Sequence, residues 1–237
     1  MSEDFAAESL HNLDLGRAYR IYNTVHEMMH DRGYLPVKPK LKKDAWISRY
    51  LGYLAEIEDE ASKMSVFDII DNMTLLFKYA TKLTRKLLVY FHPLDAKLCQ
   101  NDMNYIHKLM AQKEAQHLII VANNNATPKV TNVIEILGNR AQLFSENELV
   151  FNITKHQLVP PHMRVSEEEK QALLNAYTIL QDGKQHPGLI PGIFTTDPVI
   201  RYYNFEAGDL IKILRPRRDG FTDLTFRIVT YPLSDKD

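Results

Sequence analysis

Two adjacent prolines, Pro160 and Pro161, interrupt this chain about two-thirds of the way along its length. A proline lacks a backbone donor and fixes φ, and it biases the preceding residue toward extended backbone. The run Val159-Pro160-Pro161 therefore fits neither a helix interior nor a central strand. It predicts a junction, with an N-terminal domain over residues 1–158 and a C-terminal domain over residues 159–237. With 237 residues, 45% of them hydrophobic, the chain can bury a core on each side of such a break.

Upstream of the junction the apolar spacing switches repeatedly between helical and strand periods. From Leu15 to about Arg32, Leu15, Ala18, Tyr19, Tyr22, Val25 and Met29 recur at three- and four-residue steps, and Gly33 stands at a C-cap position. A basic connector follows, in which Lys38, Lys40, Lys42 and Lys43 surround Pro39. Asp44 then reads as the N-cap of a helix carrying Trp46, Ile47, Tyr50, Leu51 and Leu54. Lys86–His92 and His117–Ala122 are apolar runs with strand composition, and Asn101–Gln112 between them has helical spacing. A second unit of this kind follows, with a helix from Pro128 to Leu137 and a strand at Leu149–Ile153. The pattern is that of an α/β domain.

Downstream, Ser166-Glu167-Glu168-Glu169 offers a capping box ahead of Ala172, Leu173, Leu174 and Tyr177. The segment Gln181–Thr196 holds Gly183, Pro187, Gly188, Pro191 and Gly192, too many breakers for regular structure. Asp197-Pro198 supplies an N-cap and a first-turn proline for a short helix. Two strands follow, Asp209–Arg215 and Leu224–Tyr231, joined by the charged turn at Arg217-Arg218-Asp219-Gly220. This is a small α+β domain.

Charge is nearly balanced, 29 Lys plus Arg against 30 Asp plus Glu, so any contact with nucleic acid has to come from a local patch. The single Cys99 can form no internal disulfide and reads as a small core residue in a reducing compartment. The acidic start at Met1-Ser2-Glu3-Asp4 is unlike a signal peptide, and no apolar run is long enough to cross a membrane. A soluble intracellular protein is expected.

One short motif points to catalysis. His26-Glu27-Met28-Met29-His30 matches the helical zinc-hydrolase pattern, in which two histidines four residues apart hold a metal and the glutamate activates water. A catalytic zinc needs a third protein ligand. The continuation Asp31-Arg32-Gly33-Tyr34-Leu35 reaches Pro36, which offers none, while Glu56, Glu58 and Glu60 are nominal substitutes without supporting context. Only 25 residues precede His26, too few for the sheet that precedes this helix in such hydrolases. The plainer reading places both histidines at the border of an amphipathic helix. Pro93-Leu94-Asp95-Ala96-Lys97 faintly matches a nuclease acid-x-Lys element, but no partner acid has convincing spacing.

The run Leu149–Arg164, read as Leu-Val-Phe-Asn-Ile-Thr-Lys-His-Gln-Leu-Val-Pro-Pro-His-Met-Arg, resembles the domain junction of the fifth common subunit of eukaryotic nuclear RNA polymerases, a family with an archaeal counterpart. The resemblance continues through Ser166–Leu174, Asp197–Tyr203, Gly208 and Ile211–Pro216, and ends in the strand with Phe226, Arg227 and Ile228. Val25–Tyr34 is similar to the family's first helix, where the positions of His26 and His30 are commonly lysine, and Asn124-Asn125-Ala126-Thr127-Pro128 resembles its strand-to-helix turn. The family implies a restriction-endonuclease-like N-terminal jaw domain without catalytic residues. It further implies a small C-terminal assembly domain that docks on the largest polymerase subunit.

The resemblance thus implies a non-catalytic subunit of RNA polymerase I, II and/or III in the nucleus. Its partners would be the largest and other polymerase subunits, downstream double-stranded DNA bound without sequence preference, and general transcription factors. No cofactor or metal is implied. Thr127, Pro128 and Lys129 are expected at the DNA, where free N–H groups of a helix start and one lysine would meet phosphate. His162, Arg164, Asp197, Pro198, Arg201, Tyr202, Arg215 and Pro216 are expected at the subunit interface. The chain departs from the family at Asn204-Phe205-Glu206-Ala207, where a glycine and a basic residue are usual, and at Arg217-Arg218-Asp219. Such changes point to a divergent lineage or a class-specific paralogue.

Overall fold

The computed structural model describes residues 15–49, 74–92, 97–122, 126–177, 190–217 and 219–232. By their internal contacts the residues form two compact units, Met1–Phe151 and Asn152–Asp237.

The first unit opens with helix α1 (Leu15–Asp31), whose Ile21, Tyr22, Val25, Met28 and Met29 are all buried. Gly33, at φ 80°, ends it and turns the chain into strand β1 (Tyr34–Pro36). Strands β2 (Leu75–Tyr79), β3 (Lys86–Phe91), β4 (His117–Ala122) and β5 (Ala141–Ser145) complete a five-stranded sheet in which spatial order follows chain order. β1, β2 and β3 pair antiparallel, and β3, β4 and β5 pair parallel. The parallel crossovers are helices α2 (Gln100–Lys113) and α3 (Pro128–Leu137).

Alternate strand residues serve opposite faces of the sheet. Leu88, Tyr90, Leu118, Ile120 and Ala122 pack with Met103, Ile106 and Leu109 of α2 and Val130 and Ile134 of α3. Their neighbours Leu87, Val89, Ile119 and Val121 are buried as well. On that second face the His26 ring of α1 meets Phe77 of β2 at 5.2 Å, and Arg32 stands 6.0 Å from the ring of Phe144 in β5. A sheet covered on both sides explains why its central strands read as unbroken apolar runs.

The strand expected at Leu149–Ile153 is not one. Ala141–Ser145 supplies β5, and the chain then enters the short helix α4 (Glu146–Leu149) and a 3₁₀ turn at Ile153–Lys155. Local caps decide this outcome. Ser145 Oγ accepts from the Asn147 N–H, the Glu148 carboxylate accepts from the Ser145 N–H at 2.7 Å, and Asn152 Oδ1 accepts from the Thr154 N–H at 3.0 Å. The helix after the basic connector begins at residue 43, so Asp44 lies inside it and the Trp46 N–H bonds to the Lys42 carbonyl. Cys99 is half-buried at the start of α2, not in the core, and its N–H donates to the Asp102 carboxylate.

The second unit is a four-stranded sheet with two helices. Strands β6 (His162–Arg164), β7 (Gly192–Phe194), β8 (Leu210–Pro216) and β9 (Thr222–Thr230) lie in the order β6-β8-β9-β7. Helix α5 (Glu167–Tyr177) starts as expected, with Ser166 Oγ accepting from the Glu169 N–H. It is tied down by Lys212–Glu169 and by Lys170 Nζ donating to the Gly208 carbonyl. Helix α6 (Pro198–Tyr203) buries Ile200 against Ile211, Ile213 and Val229. Strand β7 corrects the expectation that Gln181–Thr196 lacks regular structure. It pairs parallel with β9, and a Cβ on Gly192 would lie 3.2 Å from Thr230 Oγ1, close enough that the threonine side chain would have to shift.

Candidate functional site

Strand register alone gathers side chains from β6, β7, β8 and β9 on one face of the second sheet. His162 pairs with Ile213, Arg227 pairs with Ile211, and Ile193 pairs with Val229, while Arg215 follows Ile213 by two residues. Helix α6 covers part of this face through Ile200. Beyond its first turn a groove of about 440 Å³ remains, lined by Pro160, His162, Gly192, Ile193, Phe194, Thr196, Asp197, Ile213, Arg215 and Arg227.

Three polar walls of the groove are held in place. Asp197 caps α6, its Oδ1 accepting from the N–H groups of Val199 at 2.8 Å and Ile200 at 3.4 Å. His162 Nδ1 lies 2.7 Å from the Pro160 carbonyl, which can only accept, so that nitrogen carries the hydrogen and Nε2 is left for other contacts. Arg227 Nη1 donates to the Gly192 carbonyl at 2.9 Å and ties β9 to the edge strand. The groove therefore offers two guanidiniums, one imidazole and one carboxylate over an apolar floor. Such a surface suits a polypeptide partner better than a small polar metabolite.

Of the expected interface residues, His162, Asp197 and Arg215 come together in this groove. Pro198 and Pro216 are exposed nearby in sequence, and Arg201 is half-buried. Tyr202 is not on the surface at all: it is 2% exposed, and its hydroxyl accepts from Asn152 Nδ2 at 2.9 Å. Arg164 belongs to a neighbouring stack. It pairs with Asp209 at 2.6 Å and lies 5.3 Å from the Phe205 ring, which stacks on Tyr203, which meets Tyr202 edge-on.

This stack accounts for part of the divergent stretch. Asn204 sits at φ 55°, ψ 46°, a left-handed position where glycine is usual and asparagine is the next best tolerated residue. Phe205 then supplies the aromatic surface beneath Arg164. The sequence reading missed Arg227, Ile193, Phe194 and Thr196. For Arg227 the available signal was a charged residue between the apolar neighbours Phe226 and Ile228.

In the first unit, Thr127 is the N-cap of α3, Pro128 is its first residue, and both Pro128 and Lys129 are exposed. The expected row of free N–H groups is not there. Proline has none, the Thr127 N–H donates to the Leu98 carbonyl, and the Val130 and Thr131 N–H groups both donate to the Thr127 carbonyl. Lys129 thus brings its side chain and its own N–H.

The zinc-hydrolase pattern does not assemble. His26 is 8% exposed, enclosed by Tyr22 at 4.6 Å and Phe77 at 5.2 Å, whereas the His30 side chain is 81% exposed beside Asp31. Burial, with the Lys40 charge adding to it, lowers the His26 pKa to about 4. His26 is therefore a core residue and not the surface basic position that its family counterpart implies. Among the described residues no cluster of three or more His, Cys, Asp or Glu side chains could hold a metal. Glu56, Glu58, Glu60 and the Pro93–Ala96 turn lie outside the described residues. No described helix is long and apolar enough to cross a membrane.

Comparison with known proteins agrees with this layout. Residues 12–134 match the model of the RNA polymerase Rpb5 N-terminal domain, and residues 151–229 match that of the Rpb5 C-terminal domain. A Caenorhabditis elegans relative, DNA-directed RNA polymerases I, II, and III subunit RPABC1, is 31% identical over 92% of this chain and 97% of its own length. The Dictyostelium discoideum protein of the same name is 28% identical over 91% of this chain and 98% of its own length. DNA-directed RNA polymerase V subunit 5A of Arabidopsis thaliana is 25% identical over 89% of this chain and 84% of its own length. With both domain models in order along one chain, and with relatives matched over most of their length, this protein belongs to the RNA polymerase Rpb5 family.

Proposed function

We propose that the chain is a structural subunit of a DNA-directed RNA polymerase, serving polymerase I, II or III or more than one of them, with no active site of its own. One observation carries the reading: both Rpb5 domains, residues 12–134 and 151–229, follow each other in a single chain. The N-terminal domain acts as the lower jaw beside downstream DNA, with Thr127, Pro128 and Lys129 as a contact that does not read sequence. The C-terminal domain docks on the largest subunit through the groove walled by His162, Asp197, Arg215 and Arg227, with Arg164, Pro198, Arg201 and Pro216 around it. Tyr202 serves that surface from beneath, by fixing α6. The junction between the domains lies in the 151–159 segment. General transcription factors are further partners, and the site of action is the nucleus.

The test is affinity purification of the tagged full-length chain from its own cells. Catalytic polymerase subunits should co-purify in stoichiometric amounts and should be lost when Arg215→Glu and Arg227→Glu are combined. Purification of the wild-type chain without those subunits would refute the assignment. Undiminished recovery with the double variant would move the docking surface away from the groove.

A further inference from the structure

The four lysines of the basic connector are the strongest charged feature that the proposed function leaves unused. Lys38, Lys40, Lys42 and Lys43 are all exposed, and they fall within six residues. Among the described residues none of them has a carboxylate within ion-pair distance. Lys40 bonds to the Asn23 side chain, a neutral acceptor, and Asp44 is paired with none of the four. Three lysines elsewhere do meet a carboxylate, Lys86 at Glu114, Lys170 at Glu167 and Lys212 at Glu169.

The connector is also held in shape. The Val37 N–H donates to the Leu76 carbonyl, the Leu41 N–H donates to Tyr22 Oη at 3.0 Å, and the Trp46 N–H donates to the Lys42 carbonyl. Tyr19, Tyr22 and Trp46 form an aromatic cluster in which each ring lies within 6 Å of the next. Leu41 is half-buried between exposed Lys40 and Lys42, so the chain turns its apolar side inward and its amines outward. A solvated linker would need none of these anchors.

We propose that the Lys38–Lys43 connector is a binding surface for the phosphate backbone of double-stranded nucleic acid. The surface is separate from the contact proposed at Thr127–Lys129 and does not depend on it. Its chemistry selects this ligand in three ways. Lysine is depleted at protein–protein interfaces, which favour aromatic residues and arginine. Single-stranded nucleic acid needs exposed rings for base stacking, but Tyr22 and Trp46 are buried. Base-edge recognition in a groove relies on arginine or amide forks, whereas lysine ammonium groups are point charges suited to phosphate. The whole chain carries a formal net charge of −1, and 25 basic against 30 acidic residues remain without these four lysines, so no global field adds to the attraction of the patch.

The experiment measures fluorescence anisotropy of a labelled duplex of about 20 base pairs with the purified full-length chain across a salt series. Each phosphate neutralised adds about −0.9 to the slope of log K against log salt, so four lysines give a slope near −3.6 and roughly a hundredfold loss between about 50 and 200 mM salt. Changing all four lysines to alanine should remove most of that slope, and changing all four to arginine should keep it. Lys129→Ala alone should alter it by no more than about one unit. Because the four side chains are exposed, the alanine variant should unfold at the same urea concentration as the wild type. An unchanged slope in the alanine variant, no salt-dependent binding by the wild type, or a collapse of the variant's stability would each overturn the proposal. Tighter binding of polyglutamate than of duplex would overturn it too, and would assign the patch to an acidic protein. Polymerase co-purification should be unaffected by the alanine changes, so this result and the assignment as a polymerase subunit can fail independently.

Discussion

Asn152 and Tyr202, fifty positions apart, share a buried hydrogen bond of 2.9 Å from the amide Nδ2 to the phenol oxygen. The same asparagine accepts from the N–H and the hydroxyl of Thr154 through Oδ1. One side chain thus ties the start of the second unit to α6, the helix whose first turn walls the groove. Tyr202→Phe leaves the amide without that acceptor and should cost about 1–3 kcal/mol. Asn152→Ala also removes the cap on the 3₁₀ turn and should cost more. Urea denaturation of the two variants checks the order, and equal costs would mean that the cap contributes nothing.

Asp197 has two roles that substitution can separate. Asp197→Ala removes the α6 cap and should destabilise the chain by about 1 kcal/mol. Asp197→Asn keeps an acceptor oxygen and should stay near wild-type stability while changing the charge of the groove. If polymerase recovery falls only with alanine, the cap is what matters. A fall with asparagine as well assigns the effect to charge.

His26 should make stability depend on pH in a specific direction. Its folded pKa, about 4, lies below the usual value of 6.5 because burial disfavours the charged ring. As pH falls below 6.5 the unfolded chain takes up the proton first. The stabilising contribution is therefore complete above pH 6.5, declines through the window down to about 4, and amounts to about 3 kcal/mol when fully lost. His26→Phe should flatten this part of the stability profile. A variant that retains the same acid loss would place the cause elsewhere.

Among the described positive-φ glycines of the first unit, Gly33 is the one whose added side chain would also meet a neighbour. At φ 80° an alanine is strained by about 1–2 kcal/mol whatever space surrounds it, and its Cβ would also touch Tyr79 at 3.4 Å. Gly33→Asn should cost less than Gly33→Ala, because asparagine tolerates the left-handed region better. Thermal unfolding of the pair measures the difference.

The elements that the sequence made legible are those with both a period and a punctuation mark. Helix α3 runs from Pro128 to Leu137 as expected, and Asp197-Pro198 starts α6. Where composition and local capping disagreed, capping won. The apolar Leu149–Ile153 became a helix end and a turn because Ser145, Glu148 and Asn152 satisfied backbone donors on the spot. Short edge strands such as β1 and β7 carry three residues each, too few to establish a period, and they exist because a neighbouring strand offers them partners. Part of the groove was legible for a related reason. His162, Asp197 and Arg215 lie in recognisable runs, whereas Arg227 reaches the same face only through the β8–β9 register. Tyr202 shows the reverse, since an aromatic of the interface kind was spent on the interior.

The two sheets differ in when each strand can find its neighbour. In the first, spatial order repeats chain order from β1 to β5, so every strand emerges beside one already made. That sheet can form progressively during synthesis. In the second, β7 precedes β9, its partner among the described strands, by about thirty residues, and β6 must wait for β8. The groove face is therefore completed only once β9 has cleared the ribosome, which orders the two units in time: a nascent chain presents its folded N-terminal sheet well before the groove of the C-terminal one exists.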